Sequence, residues 1–169
     1  EALREAIVEH HVGSLLNVAD NALTPEQWRN LIGDIQSVAM EETRLGVPIL
    51  YGIDSVHGAN YVAGATIFPQ NIGLAATFDP TLVREAGAVT ARETRAARLP
   101  WNFAPVVDLG RKPQWPRYYE TFGEDPYLAG QMGVAAVEGL QGDDVSKGTR
   151  VAGTLKHYIG YSGPTSGLD

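Results

Sequence analysis

The chain has 169 residues, no cysteine, and 20 acidic against 13 basic side chains, for a formal net charge of −7. This length suits one domain with its own core, and the lack of cysteine excludes a disulfide framework and a thiolate metal or redox site. The acidic balance disfavours nucleic acid and anionic membranes as partners, because both need clustered lysine and arginine. No apolar run reaches the roughly 18 residues of a membrane span.

Four helices are predicted from capping signals and from apolar residues at helical spacing. The first covers Ala2 to about His11, and Gly142 is the predicted end of the last. The other three begin with an N-cap residue followed by proline at the first helical position. The earliest of these starts also has a capping box, completed by Gln27. The starts are Thr24-Pro25, Asp79-Pro80 and Asp125-Pro126.

Apolar runs of strand length lie between the predicted helices, at 12–16, 48–53, 103–107 and 151–155. They lack period-2 alternation, which suits strands buried on both faces of a parallel sheet. Strands that alternate with helices imply βα units. The sequence therefore predicts an α/β fold, either a (β/α) barrel or a doubly wound sheet.

Titratable residues follow each of the three strongest runs. In both candidate topologies, ligands bind at the carboxyl ends of the strands, so these side chains are expected to share one polar face. The residues are Asp54 after the second run, Asp108 and Arg117 after the third, and Lys156 and His157 after the fourth.

A site that combines a carboxylate, permanent cations and imidazoles suits a neutral polyhydroxylated ligand. Asp54 accepts hydrogen bonds from adjacent hydroxyls, while Lys156 and Arg117 donate to others. Trp101 or Trp115 is expected to supply an apolar face for a sugar ring. A phosphate would not suit Asp54, and the chain contains neither a GxGxxG nor a GxxxxGK[ST] loop.

Structural interpretations of the same residues remain open at this point. Asp54 also suits a turn or cap, and Arg117 with Glu120 and Glu124 also suits an ion-pair network. Lys156 is harder to explain structurally, because burying a lysine is costly unless it is paired or used. No convincing zinc spacing and no GxSxG elbow occur, so neither a metal site nor a serine hydrolase is expected.

Five segments stand out in order along the chain: 45–58 (LGVPILYGIDSVHG), 66–74 (TIFPQNIGL), 104–108 (APVVD), 115–126 (WPRYYETFGEDP) and 156–158 (KHY). Together they resemble motifs of glycoside hydrolase family 3. The resemblance implies a TIM-like barrel domain and exo-acting, retaining hydrolysis of β-linked sugars, chiefly β-glucosidase activity. No cofactor is implied.

The resemblance also implies roles for individual residues. Asp54 matches the aspartate that binds hydroxyls of the non-reducing-end sugar, and Arg117 matches the arginine of a Trp-x-Arg motif in the same subsite. Lys156 and His157 match the Lys-His pair that binds the same ring. These four are the expected substrate-binding residues.

Two departures from the family pattern bear on specificity. Pro116 stands where many relatives have glycine, and the proline ring stiffens the loop beside Arg117. The segment 156–163 lacks the histidine that follows the Lys-His motif in members that cleave N-acetylhexosaminides, which favours a glucosidase or a related exo-glycosidase. His57 and Glu120 are expected to have support roles only.

Retaining hydrolysis needs two carboxyl groups about 5–5.5 Å apart, and the resemblance places both, a nucleophilic Asp and an acid/base Glu, downstream of residue 169. No catalytic residue is therefore expected in this chain. A full barrel needs about 250 residues, so 1–169 is expected to be a truncated, partial TIM-like (β/α) barrel, roughly the first half. That piece would supply the glycone-binding half of the enzyme and be inactive alone.

The expected partner is a β-linked oligosaccharide or glucoside, with no nucleic acid and no membrane; the sequence leaves the oligomeric state undetermined. The resemblance favours a periplasmic or secreted protein. Two alternatives stay open, namely a non-catalytic sugar-binding module or degenerate paralogue, and a barrel acting on a phosphorylated metabolite, which needs a phosphate-binding loop.

Overall fold

The computed structural model describes residues 1–17, 21–158 and 160–166. Helices and short strands alternate along these ranges. The strands are β1 (Ser14–Leu16), β2 (Leu50–Ile53), β3 (Trp101–Asn102) and β4 (Ala152–Gly153). The helices are α1 (Ala2–Val8), α2 (Pro25–Glu41), α3 (Asn71–Ala75), α4 (Pro80–Ala96) and α5 (Pro126–Gln141), with a 3₁₀ turn at Tyr118–Glu120.

The four strands form one parallel sheet in the sequential order β1-β2-β3-β4. A doubly wound sheet reverses its strand order at a switch point, whereas a (β/α) barrel adds each strand beside the previous one. The sequential order therefore selects the barrel, and the predicted fold class, a partial TIM-like (β/α) barrel, is confirmed.

The three proline-marked helix starts are confirmed. Thr24 Oγ1 accepts a hydrogen bond from the Gln27 backbone N–H at 3.2 Å, and the Gln27 side chain accepts from the Thr24 N–H at 2.9 Å. Asp79 and Asp125 cap α4 and α5 in the same way, through N–H donors at 2.8 and 2.7 Å. Gly142 follows α5 with a φ of +57°, the conformation in which glycine has no steric cost.

The observed strands are shorter than the predicted runs, and the largest differences are at the third strand and at the end of the first helix. The 103–107 strand is wrong, because the ladder pairs at Trp101–Asn102 and, in the part of the chain that the structure describes, 103–107 has a single bridge, at Val106. Pro105 has no N–H and cannot donate to a sheet ladder. The first helix ends at Val8 rather than near His11, which has a φ of +55° and cannot continue a right-handed helix.

The core lies on the outer side of the sheet, under the helices. Trp28 of α2 is fully buried against Tyr51 of β2, with ring centroids 5.8 Å apart, and its Nε1 donates to the Tyr61 carbonyl. A second cluster packs α4 against α5 around Met132 and Phe122. Among the described residues, no helix has the length and apolar character to cross a bilayer.

Candidate functional site

Five polar side chains meet at the carboxyl edge of the sheet. Asn17 follows β1, Asp54 follows β2, Arg117 lies in the loop after β3, and Lys156 and His157 follow β4. All the strands are parallel, so the segments that follow them leave the sheet at the same edge. The convergence predicted from the sequence is therefore present.

Asp54 and Lys156 form an ion pair across the open end of the sheet. Lys156 Nζ donates to Asp54 Oδ1 at 2.6 Å, and the lysine and aspartate side chains are 14% and 31% exposed. Asn17 holds the other carboxylate oxygen, Oδ2, through its Nδ2 at 2.9 Å, and accepts from the Asp54 N–H at 3.1 Å. Among the described residues, each carboxylate oxygen has one donor, which leaves a lone pair for a ligand hydroxyl.

Arg117 is fixed by a two-point ion pair with Glu120. Its Nε and Nη2 donate to the two carboxylate oxygens at 2.7 and 2.8 Å, and Arg117 is the N-cap residue of the 3₁₀ turn that contains Glu120. These hydrogen bonds raise the pKa of the Arg117 guanidinium above its ordinary value and outweigh the lowering by partial burial. Arg117 is therefore a charged donor whose remaining nitrogen, Nη1, is directed by Glu120.

His157 lies between Arg117 and a buried carboxylate. Its Nδ1 is 2.7 Å from Asp108 Oδ2, and its Nε2 is 3.2 Å from Arg117 Nη1. The Asp108 side chain is 0% exposed and also accepts from the backbone N–H groups of His157 and Tyr161. The loop after β4 is thereby tied to the loop after β3.

A cavity of 660 Å³ opens between these side chains, within the usual 300–1,000 Å³ of small-molecule sites. Among the described residues, its lining carries two cations and two carboxylates, and each cation is paired with one carboxylate, so the formal charges of these four groups cancel. The four predicted binding residues are all part of this lining: Asp54, Arg117, Lys156 and His157.

The apolar part of the lining differs from the prediction. Of the residues described around the cavity, neither Trp101 nor Trp115 is one. Trp115 is 1% exposed and packs edge-on against Tyr161, and Trp101 Nε1 donates to Thr154 Oγ1 at 2.7 Å. A tryptophan near a motif shows that a ring is close in sequence, not which way it points. The aromatic rings that line the cavity are Tyr61, Phe103 and Tyr119.

Two polar residues of the site, Asn17 and Gln70, were missed from the sequence, and so was the partner of Asp108. Asp108 stands at a predicted strand end, but nothing in the sequence indicates that His157 is its partner. Asn17 follows β1 as Asp54 follows β2. This position directly after a strand is the one sequence signal that could have identified Asn17. Gln70 lines the cavity with a buried Oε1 that has no hydrogen-bond partner among the described residues.

His57 lies at the cavity wall and joins two parts of the long segment between β2 and α4. Its Nδ1 is 3.0 Å from the Phe68 carbonyl oxygen. Within the described ranges, no three His, Asp or Glu side chains are arranged to hold a metal ion. The arrangement offers hydrogen-bond donors and acceptors fixed by protein partners, which suits the recognition of hydroxyl groups.

Comparison with known proteins identifies the family. The model of the glycosyl hydrolase family 3 N-terminal domain matches residues 1–169. The lysosomal beta glucosidase of Dictyostelium discoideum is 44% identical over 173 residues, covering 95% of this chain and 21% of the relative. The periplasmic beta-glucosidase of Salmonella typhimurium is 35% identical, covering 100% of this chain and 20% of the relative.

A solved structure shows the same fold. The exo-1,3/1,4-beta-glucanase of a Pseudoalteromonas species superposes with a TM-score of 0.87 at 34% sequence identity, covering 98% of this chain and 22% of that one. The chain thus spans about a fifth of the length of the relatives it matches.

Proposed function

Because this chain belongs to the N-terminal domain of glycosyl hydrolase family 3, we propose that it forms the glycone-binding part of an exo-acting, retaining β-glucosidase. The proposed substrate is a β-linked glucoside or oligosaccharide, bound by its terminal non-reducing sugar. The proposed domain is the N-terminal part of a longer (β/α) barrel, which needs about 250 residues. By analogy with its periplasmic relative, we place the enzyme in the periplasm or outside the cell.

The single observation that carries this proposal is the Asp54–Lys156 ion pair at the cavity wall, 2.6 Å between Nζ and Oδ1. A carboxylate beside an ammonium offers an acceptor and a donor at the spacing of adjacent ring hydroxyls. Hydrogen bonds to charged groups contribute about 1.5–3 kcal/mol each. Such contacts accelerate hydrolysis where they strengthen in the oxocarbenium-like transition state.

The two ion pairs at the cavity favour a neutral sugar over a phosphorylated substrate. Arg117 is bound at two points by Glu120, and Lys156 is bound by Asp54. A phosphate would have to compete with both carboxylates for these cations and would lie beside them. A neutral sugar keeps both ion pairs and adds hydrogen bonds to them.

The catalytic pair of a retaining glycosidase is proposed to come from elsewhere in the enzyme. One carboxylate would attack the anomeric carbon to form a glycosyl-enzyme, and a second carboxyl group would protonate the leaving oxygen and then activate water. In this scheme Asp54, Arg117, Lys156 and His157 hold the ring in position for the attack.

The test is steady-state kinetics on an aryl β-glucoside, with the whole protein that carries this chain. Asp54→Asn and Lys156→Met are each expected to lower kcat/KM at least about tenfold, because each removes a charged hydrogen bond. Asp34→Asn and Lys147→Met make the same chemical changes on side chains outside the cavity lining and are expected to leave kcat/KM unchanged.

Two outcomes would contradict the proposal in different ways. Near wild-type turnover by both Asp54→Asn and Lys156→Met would remove these residues from the sugar site. A wild-type protein that binds glucose but hydrolyses no β-glycoside would instead establish the non-catalytic sugar-binding module.

A further inference from the structure

We propose that Asp108 is a positioning residue that holds His157 as the neutral Nδ1–H tautomer, so that the Nε2 lone pair faces Arg117 at the cavity wall. The inference rests on the proposed function, since it concerns how the same site recognises a sugar. It assigns a role to a carboxylate that does not line the cavity itself.

The first requirement on the tautomer comes from Asp108. Its side chain is 0% exposed, and a carboxylate withdrawn from water must be satisfied by donors. It accepts from the backbone N–H groups of His157 and Tyr161 at 3.1 and 2.8 Å, and its Oδ2 is 2.7 Å from His157 Nδ1. An ionised carboxylate only accepts hydrogen bonds, so the proton must be on Nδ1.

The second requirement comes from Arg117 on the other side of the ring. Its Nη1 lies 3.2 Å from His157 Nε2, and a guanidinium only donates hydrogen bonds. Nε2 must therefore present a lone pair. Arg117 is held in this orientation because Glu120 fixes its Nε and Nη2. The two neighbours of the imidazole thus demand the same tautomer independently.

A ligand group that displaces the 3.2 Å contact between Arg117 Nη1 and His157 Nε2 and takes its place must satisfy both nitrogens. It has to accept from the guanidinium and donate to the imidazole, which needs a lone pair and a proton on the same atom. A sugar hydroxyl has both, whereas an ether oxygen or a fluorine lacks the proton and a deoxy position lacks both. The pair therefore selects a free hydroxyl at one position of the ring.

The test compares the wild-type protein that carries this chain with Asp108→Asn, on aryl β-glucosides that each lack one ring hydroxyl. For the wild type, one deoxy position should lower kcat/KM about tenfold or more, because two hydrogen bonds are lost there. In Asp108→Asn the amide can turn either its oxygen or its NH2 group towards Nδ1, because each orientation leaves the NH2 group facing one of the two backbone N–H donors. The orientation with NH2 at Nδ1 moves the proton to Nε2, so Nδ1–H is no longer the single tautomer. The penalty at that one position should then shrink, while the penalties at the other positions stay.

A spectroscopic measurement follows the tautomer directly. Long-range ¹H–¹⁵N correlation of ¹⁵N-histidine-labelled protein distinguishes Nδ1–H from Nε2–H, and His157→Gln identifies the signal. The wild type should show Nδ1–H alone, and Asp108→Asn should show a mixture of Nδ1–H and Nε2–H. Ser162→Ala removes the neighbouring 2.6 Å hydrogen bond to the Leu109 carbonyl and should change neither the tautomer nor the deoxy profile.

Two results would overturn the role proposed for Asp108, and a third would contradict only the proposed function. An Nε2–H tautomer or an imidazolium for wild-type His157 at pH 7.5 overturns the proposal, even if Asp108→Asn does not fold. An unchanged deoxy profile in a folded Asp108→Asn overturns it as well. A wild type that cleaves no β-glucoside contradicts the proposed function alone, because the spectrum still reports the tautomer.

Discussion

Asp54 shows how the site depends on contacts between distant single residues. Lys156 binds one carboxylate oxygen and Asn17 binds the other, so the carboxylate has a fixed orientation before a ligand arrives. A group held in place loses less entropy when it binds, which is the advantage of preorganisation. Asn17 is held in turn by the Tyr51 hydroxyl, which donates to its carbonyl at 2.5 Å.

Asn17→Gly tests whether this orientation matters for turnover. Asn17 has a φ of +47°, and glycine adopts that conformation without strain, so the substitution removes the amide and keeps the backbone path. We expect kcat/KM on an aryl β-glucoside to fall about threefold to tenfold, the effect of one net hydrogen bond. The free energy of unfolding should fall by about 1 kcal/mol or less.

Tyr51→Phe is the matched control for Asn17→Gly, because it removes the hydrogen bond to the Asn17 carbonyl and leaves the contact between Asn17 and Asp54. We expect it to reduce stability more than kcat/KM. An unchanged kcat/KM in Asn17→Gly would mean that turnover does not depend on the hydrogen bond from Asn17 to the Asp54 carboxylate.

Single residues also mark the limit of prediction from the sequence. Asp54, Arg117, Lys156 and His157 were predicted to converge, because the carboxyl ends of parallel strands meet at one edge. The Arg117–Glu120 ion pair was among the interpretations left open, but the Asp108–His157 contact was not predicted, since it joins loops 49 residues apart and depends on how both bend. The direction of Trp115 was unpredictable for the same reason.

At the scale of elements, α4 and α5 approach closely because glycines face each other. A Cβ added at Gly139 would lie 2.3 Å from the Arg84 carbonyl oxygen and 3.0 Å from the Gly87 Cα. Both neighbouring atoms are backbone and cannot move aside as a side chain can. This contact sets the spacing of the two helices that flank β3 and β4.

Gly139→Ala should therefore destabilise the protein by about 1–3 kcal/mol, the usual cost of overpacking. Gly130→Ala is the matched control in the same helix, because a Cβ there meets nothing within 4 Å. That change should be neutral or stabilising by up to about 1 kcal/mol, since alanine favours a helix interior over glycine. Chemical denaturation of both variants checks the pair, and equal stabilities would refute the close approach.

Elements differ in how far the sequence predicts them. The starts of α2, α4 and α5 were predictable because an N-cap and a proline at the first position act within four residues. The extent of β3 was not, because pairing depends on neighbouring strands as well as on Pro105. Helix α3 has only five residues, too few for a helical period to show.

At the scale of the whole molecule, the sequential parallel sheet explains why remote motifs form one site. Each βα unit contributes a polar loop at the same edge, and helices cover the outer face of the sheet. The chain carries a net charge of −7, yet the cations and carboxylates described at its cavity are paired one to one. Both features favour a neutral ligand over an anionic one.

The most direct test of this account is a crystal structure of the protein that carries this chain, with glucose bound. We predict ring hydroxyls within hydrogen-bond distance, about 2.5–3.2 Å, of the Asp54 carboxylate and Lys156 Nζ. One hydroxyl should bridge Arg117 Nη1 and His157 Nε2. Glucose bound in another cavity, or in this one without contact to Asp54 and Lys156, would contradict the account.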